Sequence, residues 1–185
     1  MSQHTRVRTA SPAADIAVGA DPITRDQRLY LAGPAQDLGG LNDAVMTVQL
    51  RERVTRIRDG LLAAGITVYS PAHDTGWVTS GALPGDRAPS AHRAMVDAGL
   101  VLAVVGTPLS AAVGVALGWA SAQRKPIILV VDRAREHRAL IDTLEAVCPV
   151  LPVEWDPSWS EPALRHTLGV ALNWAEYQDG FLPTL

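Results

Sequence analysis

From Arg28 onward, short unbroken apolar runs alternate with longer stretches in which apolar residues recur at helical spacing. Leu29-Tyr30-Leu31-Ala32, closed by Gly33-Pro34, reads as a first buried strand. Val48, Leu50, Val54, Ile57, Leu61 and Leu62 mark a helix over Val45–Ala64, stopped by Gly65. Ile66–Tyr69 reads as a second strand, ended by Ser70-Pro71. A polar stretch with Gly and Pro, Ala72–Pro89, has the length of a functional loop. Beyond it the pattern predicts a short helix over Ser90–Ala98, a strand over Leu100–Val105 and a small-residue helix over Ser110–Gln123. Then come a strand over Pro126–Val131, a helix over Glu136–Val147, a strand over Val150–Val153 and an amphipathic helix over Glu161–Tyr177.

Strands that are apolar on every residue must be covered on both faces, which is the condition of a parallel sheet between two helix layers. Right-handed crossovers then give a doubly wound, five-stranded, Rossmann/flavodoxin-like α/β fold in a single domain. Residues 27–185 form that domain. Residues 1–26, rich in Ser, Thr, Ala and Pro, are expected to be a flexible tail. Such sheets bind ligands beyond the carboxyl ends of their strands. The segments to inspect are therefore Gly33–Gly40, Pro71–Trp77, Gly106–Gly114 and Asp132–Arg135.

Composition narrows the chemistry. A net charge of −3 without a basic stretch argues against a nucleic-acid surface. Cys148 is the single cysteine, and no two histidines have metal-ligand spacing, so neither metal nor cofactor is expected. The apolar runs are too short to span a bilayer and no signal-peptide pattern stands at the start, so a cytoplasmic protein is expected.

Three segments carry candidate chemistry. In Thr107-Pro108-Leu109-Ser110-Ala111-Ala112-Val113-Gly114 a strand gives way to a helix with Ser110 near its N-cap, which aims free N–H groups at the ligand edge. Gly114 and Gly118, four apart, would let the sheet or a ligand approach closely; a plain capped helix is the alternative. Gly33, Pro34, Ala35 and Gln36 form a loop after the first strand that could present backbone groups, or be an ordinary turn. His73 follows the second strand and is either a ligand contact or a structural hydrogen-bonding group. Trp77 either stacks on a base or anchors its loop.

In this order the segments resemble the nucleoside 2-deoxyribosyltransferase superfamily, and within it the nucleoside 5′-monophosphate N-glycosidases. Tyr30-Leu31-Ala32-Gly33-Pro34 is similar to the opening strand and loop of that family. Gly65–Pro71 is similar to its second strand. Ser110-x-Ala-Val-Gly-x-Ala-Leu-Gly-x-Ala is similar to its SxGVGxELGxA helix, with Arg124-Lys125-Pro126-Ile127 after it. The resemblance implies a small-molecule nucleoside or nucleotide ligand, a homodimer, and binding by Gly33, Pro34, Ala35, Gln36, His73, Trp77, Ser110, Ala112 and Gly114. Arg133 or Arg135 could reach a phosphate across the dimer, or be solvated loop residues. In the catalytic set it places Tyr30 and, as nucleophile, a glutamate where this chain has Ala116. A second family carboxylate maps near Ala91. A methyl group neither attacks an anomeric carbon nor neutralises an oxocarbenium-like state. Three accounts of Ala116 remain: an engineered removal of the glutamate, a natural non-catalytic nucleotide binder, or transfer of the role to Asp74, Asp86 or Asp97.

Overall fold

A computed structural model describes residues 28–34, 48–74 and 84–179. Five parallel strands, β1 (Arg28–Ala32), β2 (Thr67–Tyr69), β3 (Leu100–Val104), β4 (Ile127–Val131) and β5 (Val150–Glu154), lie in the order β2-β1-β3-β4-β5. The helices are α1 (Val48–Ala63), α2 (Pro71–Asp74), α3 (Pro84–Asp97), α4 (Ala111–Ala122), α5 (Arg138–Glu145) and α6 (Glu161–Asp179). The doubly wound five-stranded parallel sheet is thus borne out. The tail expected before residue 27 lies outside the described residues.

Successive strand residues point to opposite faces, and each face meets its own helix layer. Leu29, Leu31, Leu100, Leu102, Val104, Ile128 and Val130 pack with Val54, Ile57 and Leu61 of α1 and with Leu164, Leu168 and Leu172 of α6. Tyr30, Ala32, Val101, Ala103, Ile127, Leu129 and Val131 pack with Met95 of α3, with Val113, Ala116, Leu117 and Ala120 of α4, and with Ile141 and Leu144 of α5. Burial on both sides explains why these strands show no polar alternation. At the β5 edge, Pro152 removes one backbone donor, which discourages further strand pairing.

Gly65 ends α1 as expected, with φ of +80°. The Gly65 N–H donates to the Leu62 carbonyl (3.0 Å) and that of Ile66 to the Leu61 carbonyl (3.1 Å), so two carbonyls at the helix end are satisfied.

Three expectations need correction. The stretch Ala72–Pro89 is not all loop: it contains most of α2 and the first turns of α3, which begins at Pro84 rather than Ser90. Gly85 and Pro89 had argued against helix there. The single helix expected over Glu136–Val147 is a 3₁₀ turn (Ala134–His137) followed by the shorter α5, broken at His137 (φ −110°, ψ 16°). Gly118 does not admit the sheet. A Cβ there would meet nothing within 4 Å, and one at Gly114 would only touch Leu109 at 4.0 Å. The seam of α4 against the sheet is Val113, Ala116, Leu117 and Ala120.

Candidate functional site at the carboxyl edge of the sheet

β1 is hydrogen-bonded to β2 on one side and β3 on the other, with Ala32 opposite Ala103. The winding therefore reverses between β1 and β3, and the carboxyl ends of these two strands are where sheets of this kind leave a ligand crevice. Gly33-Pro34 leaves β1 at that edge, and Gly106 to Ser110 leaves β3 beside it.

Two glycines shape the floor. A Cβ at Gly33 would lie 3.2 Å from Val54 Cγ2, and one at Gly106 would lie 3.0 Å from Leu50 Cδ2. Both strand ends thus run directly beneath the first turns of α1, where a larger residue would have to push the Val54 or Leu50 side chain aside.

Ser110 caps α4. Its backbone is extended (φ −74°, ψ 146°) and its Oγ accepts the Val113 N–H at 3.2 Å. The Gly114 N–H donates to the Ser110 carbonyl at 3.0 Å. The N–H groups of Ala111 and Ala112 find no partner among the described residues. Two donors and the positive end of the helix dipole therefore stand uncovered where α4 begins, at the carboxyl edge. α4 bears no charged side chain of its own.

One turn further, Ala116 points at the sheet and is 2% exposed. It shares an apolar layer with Tyr30, Met95, Ala103 and Val113. Tyr30 is also buried, and burial, reinforced by Tyr69, holds its hydroxyl protonated well above the ordinary tyrosine range. The two rings lie 5.5 Å apart at 39°.

The three carboxylates offered as substitutes fare differently. Asp97 ends α3 shortly before β3 begins, at the amino edge, a full strand length from the crevice. Asp74 accepts the Ser70 N–H at 2.8 Å. The side chain of Asp86 lies outside the described residues, as do Ala35, Gln36 and Trp77. At the far end of this edge Asp132 pairs with Arg53 (2.5 Å), and Glu154 accepts the Ala134 N–H (2.7 Å). Arg133 is exposed and pairs with Glu136 at 3.2 Å; Arg135 is also exposed.

His73 is committed internally. Nδ1 lies 2.8 Å from Ser70 Oγ and Nε2 3.3 Å from Thr55 Oγ1 on α1. Burial and the nearby Arg58 hold its pKa below the ordinary value. Of the two roles considered for this residue, the structure supplies partners for the hydrogen-bonding one.

Sequence reasoning missed the cluster at the far end of this edge, beyond β4 and β5. The Arg53 and Arg56 guanidinium carbons sit 5.2 and 5.5 Å from the Trp155 ring centroid, and Trp155 stacks edge-on with Trp159 at 5.5 Å. Arg53 and Trp155 are too far apart in sequence for any local signal to connect them.

The strand order, the switch point between β1 and β3 and the capped helix end define a doubly wound α/β protein. No family model matches the chain, and no curated protein does. Solved structures do. The CMP N-glycosidase BcmB of Clostridium botulinum superposes with a TM-score of 0.55 at 24% identity, covering 78% of this chain and 99% of that one. The solution structure of BlsM superposes with a TM-score of 0.62 at 23% identity, covering 81% and 94%. The expected resemblance is thus borne out as a shared fold. Among the described residues no helix is long and apolar enough to cross a membrane, and no cluster of three metal-ligating side chains occurs.

Proposed function

We propose that the crevice between β1 and β3 binds a nucleoside 5′-monophosphate, and that this chain holds the nucleotide without cleaving it. The observation that carries the reading is the placement of Ala116: it lies on the first turns of the helix whose uncovered N–H groups face the crevice, on the same sheet face as Tyr30. The phosphate or a sugar hydroxyl takes the Ala111 and Ala112 N–H groups, a common mode for anions at helix ends. Gly33 and Pro34 border the sugar, with Ala35, Gln36 and Trp77 assigned to the same ligand. Ala112 and Gly114 line the first turn.

The similarity to a CMP N-glycosidase supports a nucleotide ligand and names the reaction this scaffold carries elsewhere. In that reaction as the resemblance implies it, a carboxylate oxygen bonds to C1′ as the C1′–N bond breaks, and water then frees the sugar phosphate. Here a methyl group stands in place of the carboxylate. Its enclosure in a layer without any charged side chain favours a native binder, with the crevice adapted to alanine. The intact Ser110, Gly114, Leu117, Gly118 and Ala120 favour the second reading, an N-glycosidase disabled by one exchange.

One experiment separates them. Thermal shift and calorimetry with a panel beginning with CMP should show stabilisation that grows with ligand concentration. Chromatography should return the nucleotide intact. Release of free base by Ala116→Glu, and not by the unaltered chain, would establish the second reading. Absence of any shift with every nucleotide would remove both.

A cytoplasmic homodimer acting on small molecules rather than nucleic acid completes the proposal. Val115 is 48% exposed on uncharged α4, so covering that face strips no ion of its hydration. Light scattering should report a dimer, and Val115→Arg should shift it to monomer.

A further inference from the structure

We infer that the Ser70–His73–Thr55 bridge is a proton-operated latch, which seats α2 on α1 while His73 is neutral and releases it when the ring is protonated. Hydrogen-bond accounting carries this. Ser70 is the one fully buried polar residue among those described, at 0% exposure. Its N–H donates to Asp74 Oδ2 (2.8 Å), and its carbonyl accepts the N–H groups of His73 and Asp74 (2.9 and 2.8 Å). Its hydroxyl has a single partner, His73 Nδ1 at 2.8 Å.

A buried hydroxyl hydrogen needs an acceptor, and the lone pair on Nδ1 is the one within reach. That fixes the tautomer: Ser70 Oγ–H donates to Nδ1, and Nε2–H donates to Thr55 Oγ1. Protonation turns Nδ1 into a second donor. Two hydrogens then point at each other and the Ser70 hydroxyl is left without an acceptor, inside the protein.

Among the described residues, the charges that act on the ring are Arg58 and Asp59 from α1 and Asp74 from α2 itself. Arg58 repels an imidazolium, and burial disfavours it further; the two carboxylates offset only part of this, since the net direction is downward. Once α2 lifts off α1, Ser70 and His73 both meet water and the penalty disappears. Protons therefore bind the undocked form more tightly and draw the helix away by linkage. Because α2 follows β2 directly, the latch couples acidity to one wall of the carboxyl edge, whether or not the crevice is filled.

The test is an NMR titration of the histidine rings in the full chain, joined to amide exchange at residues 72–74 between about pH 7.5 and 5.5, corrected for intrinsic rates. His73 should titrate below 6.5. Corrected exchange in α2 should rise toward acid, by up to about tenfold for each unit of lowering. His73→Asn keeps an acceptor near the Nδ1 position and carries no titrating proton, so its profile should be flat. Ser70→Ala removes the hydroxyl and should bring the ring back toward its ordinary value. A His73 titration at or above 6.5, or an unchanged acid rise in His73→Asn, would overturn the latch. The ring titration decides the matter even where a variant fails to fold.

Discussion

Gly106 lies beneath Leu50 so closely that a methyl group on its α-carbon would come within 3.0 Å of the Leu50 Cδ2 atom. This contact joins the carboxyl end of β3 to the first turn of α1 and sets how near the helix comes to the crevice. Gly106→Ala should overpack the joint and cost about 1–3 kcal/mol, read as a lower urea midpoint with an unchanged slope. Leu50→Ala in the same chain should recover part of the loss, because the clash is with the end of a flexible side chain. An additive double variant would mean that Gly106 is needed for another reason.

Ser110→Ala removes the cap from α4, which should lower stability by ~1 kcal/mol. If the helix end holds a nucleotide phosphate, the same change should weaken CMP binding while leaving the fold intact by circular dichroism. Unchanged affinity would place the ligand away from α4.

Arg53 is 12% exposed, yet its Nε and Nη1 have no hydrogen-bond partner, and only Nη2 reaches Asp132. Removing either member of this pair should have unequal effects. Asp132→Ala leaves a largely buried cation without its counter-charge and should cost about 1–2 kcal/mol. Arg53→Met keeps the packing against Trp155 and removes two unbonded donors, so its urea midpoint should stay near that of the unaltered protein. Equal losses in the two variants would mean that the ion pair itself provides the stabilisation.

The latch has a counterpart in global stability. His73 has a native pKa below the ordinary 6.5, so the unfolded chain binds more protons in mildly acidic solution. Stability is therefore undiminished above 6.5 and falls as the pH drops from there through the native value. Denaturant melts across that window should show the decline, and His73→Asn should lessen it.

Arg124 ends α4 with φ of +52°, a conformation that suits glycine. Arg124→Gly should relieve the strain, less the added entropy of the unfolded chain, for a net gain of about 0.5–1 kcal/mol in thermal melts. A loss would show that the arginine side chain contributes more than its backbone costs.

The parts of the molecule that could be read in advance are those where local pattern and tertiary environment agree. β3 and β4 were visible because they are buried on both faces and so are apolar throughout, and β1, β2 and β5 because each is a short, largely apolar run bounded by turn residues. Ser110 was legible as a cap because capping is settled within four consecutive residues, here Ser110 to Val113. α2 and the start of α3 were hidden, since Pro84, Gly85 and Pro89 argue for a loop. The glycines of α4 misled: their spacing suggested a close approach, whereas the helix turns them outward or only lightly inward and sets Ala116 and Leu117 on the sheet.

By itself, then, the amino-acid order determined the number and kind of elements, the covering of both sheet faces, the capped start of α4 and the absence of a carboxylate at position 116. These follow from periodicities and from side-chain chemistry a few residues long. Only the tertiary structure decided which glycines admit α1, that Asp97 stands at the wrong edge, that Arg53 answers Asp132, and that His73 serves Ser70 and Thr55. Each of these is a meeting of groups on separate elements. Strand order and helix rotation set such distances, and neither is encoded in any short stretch of chain.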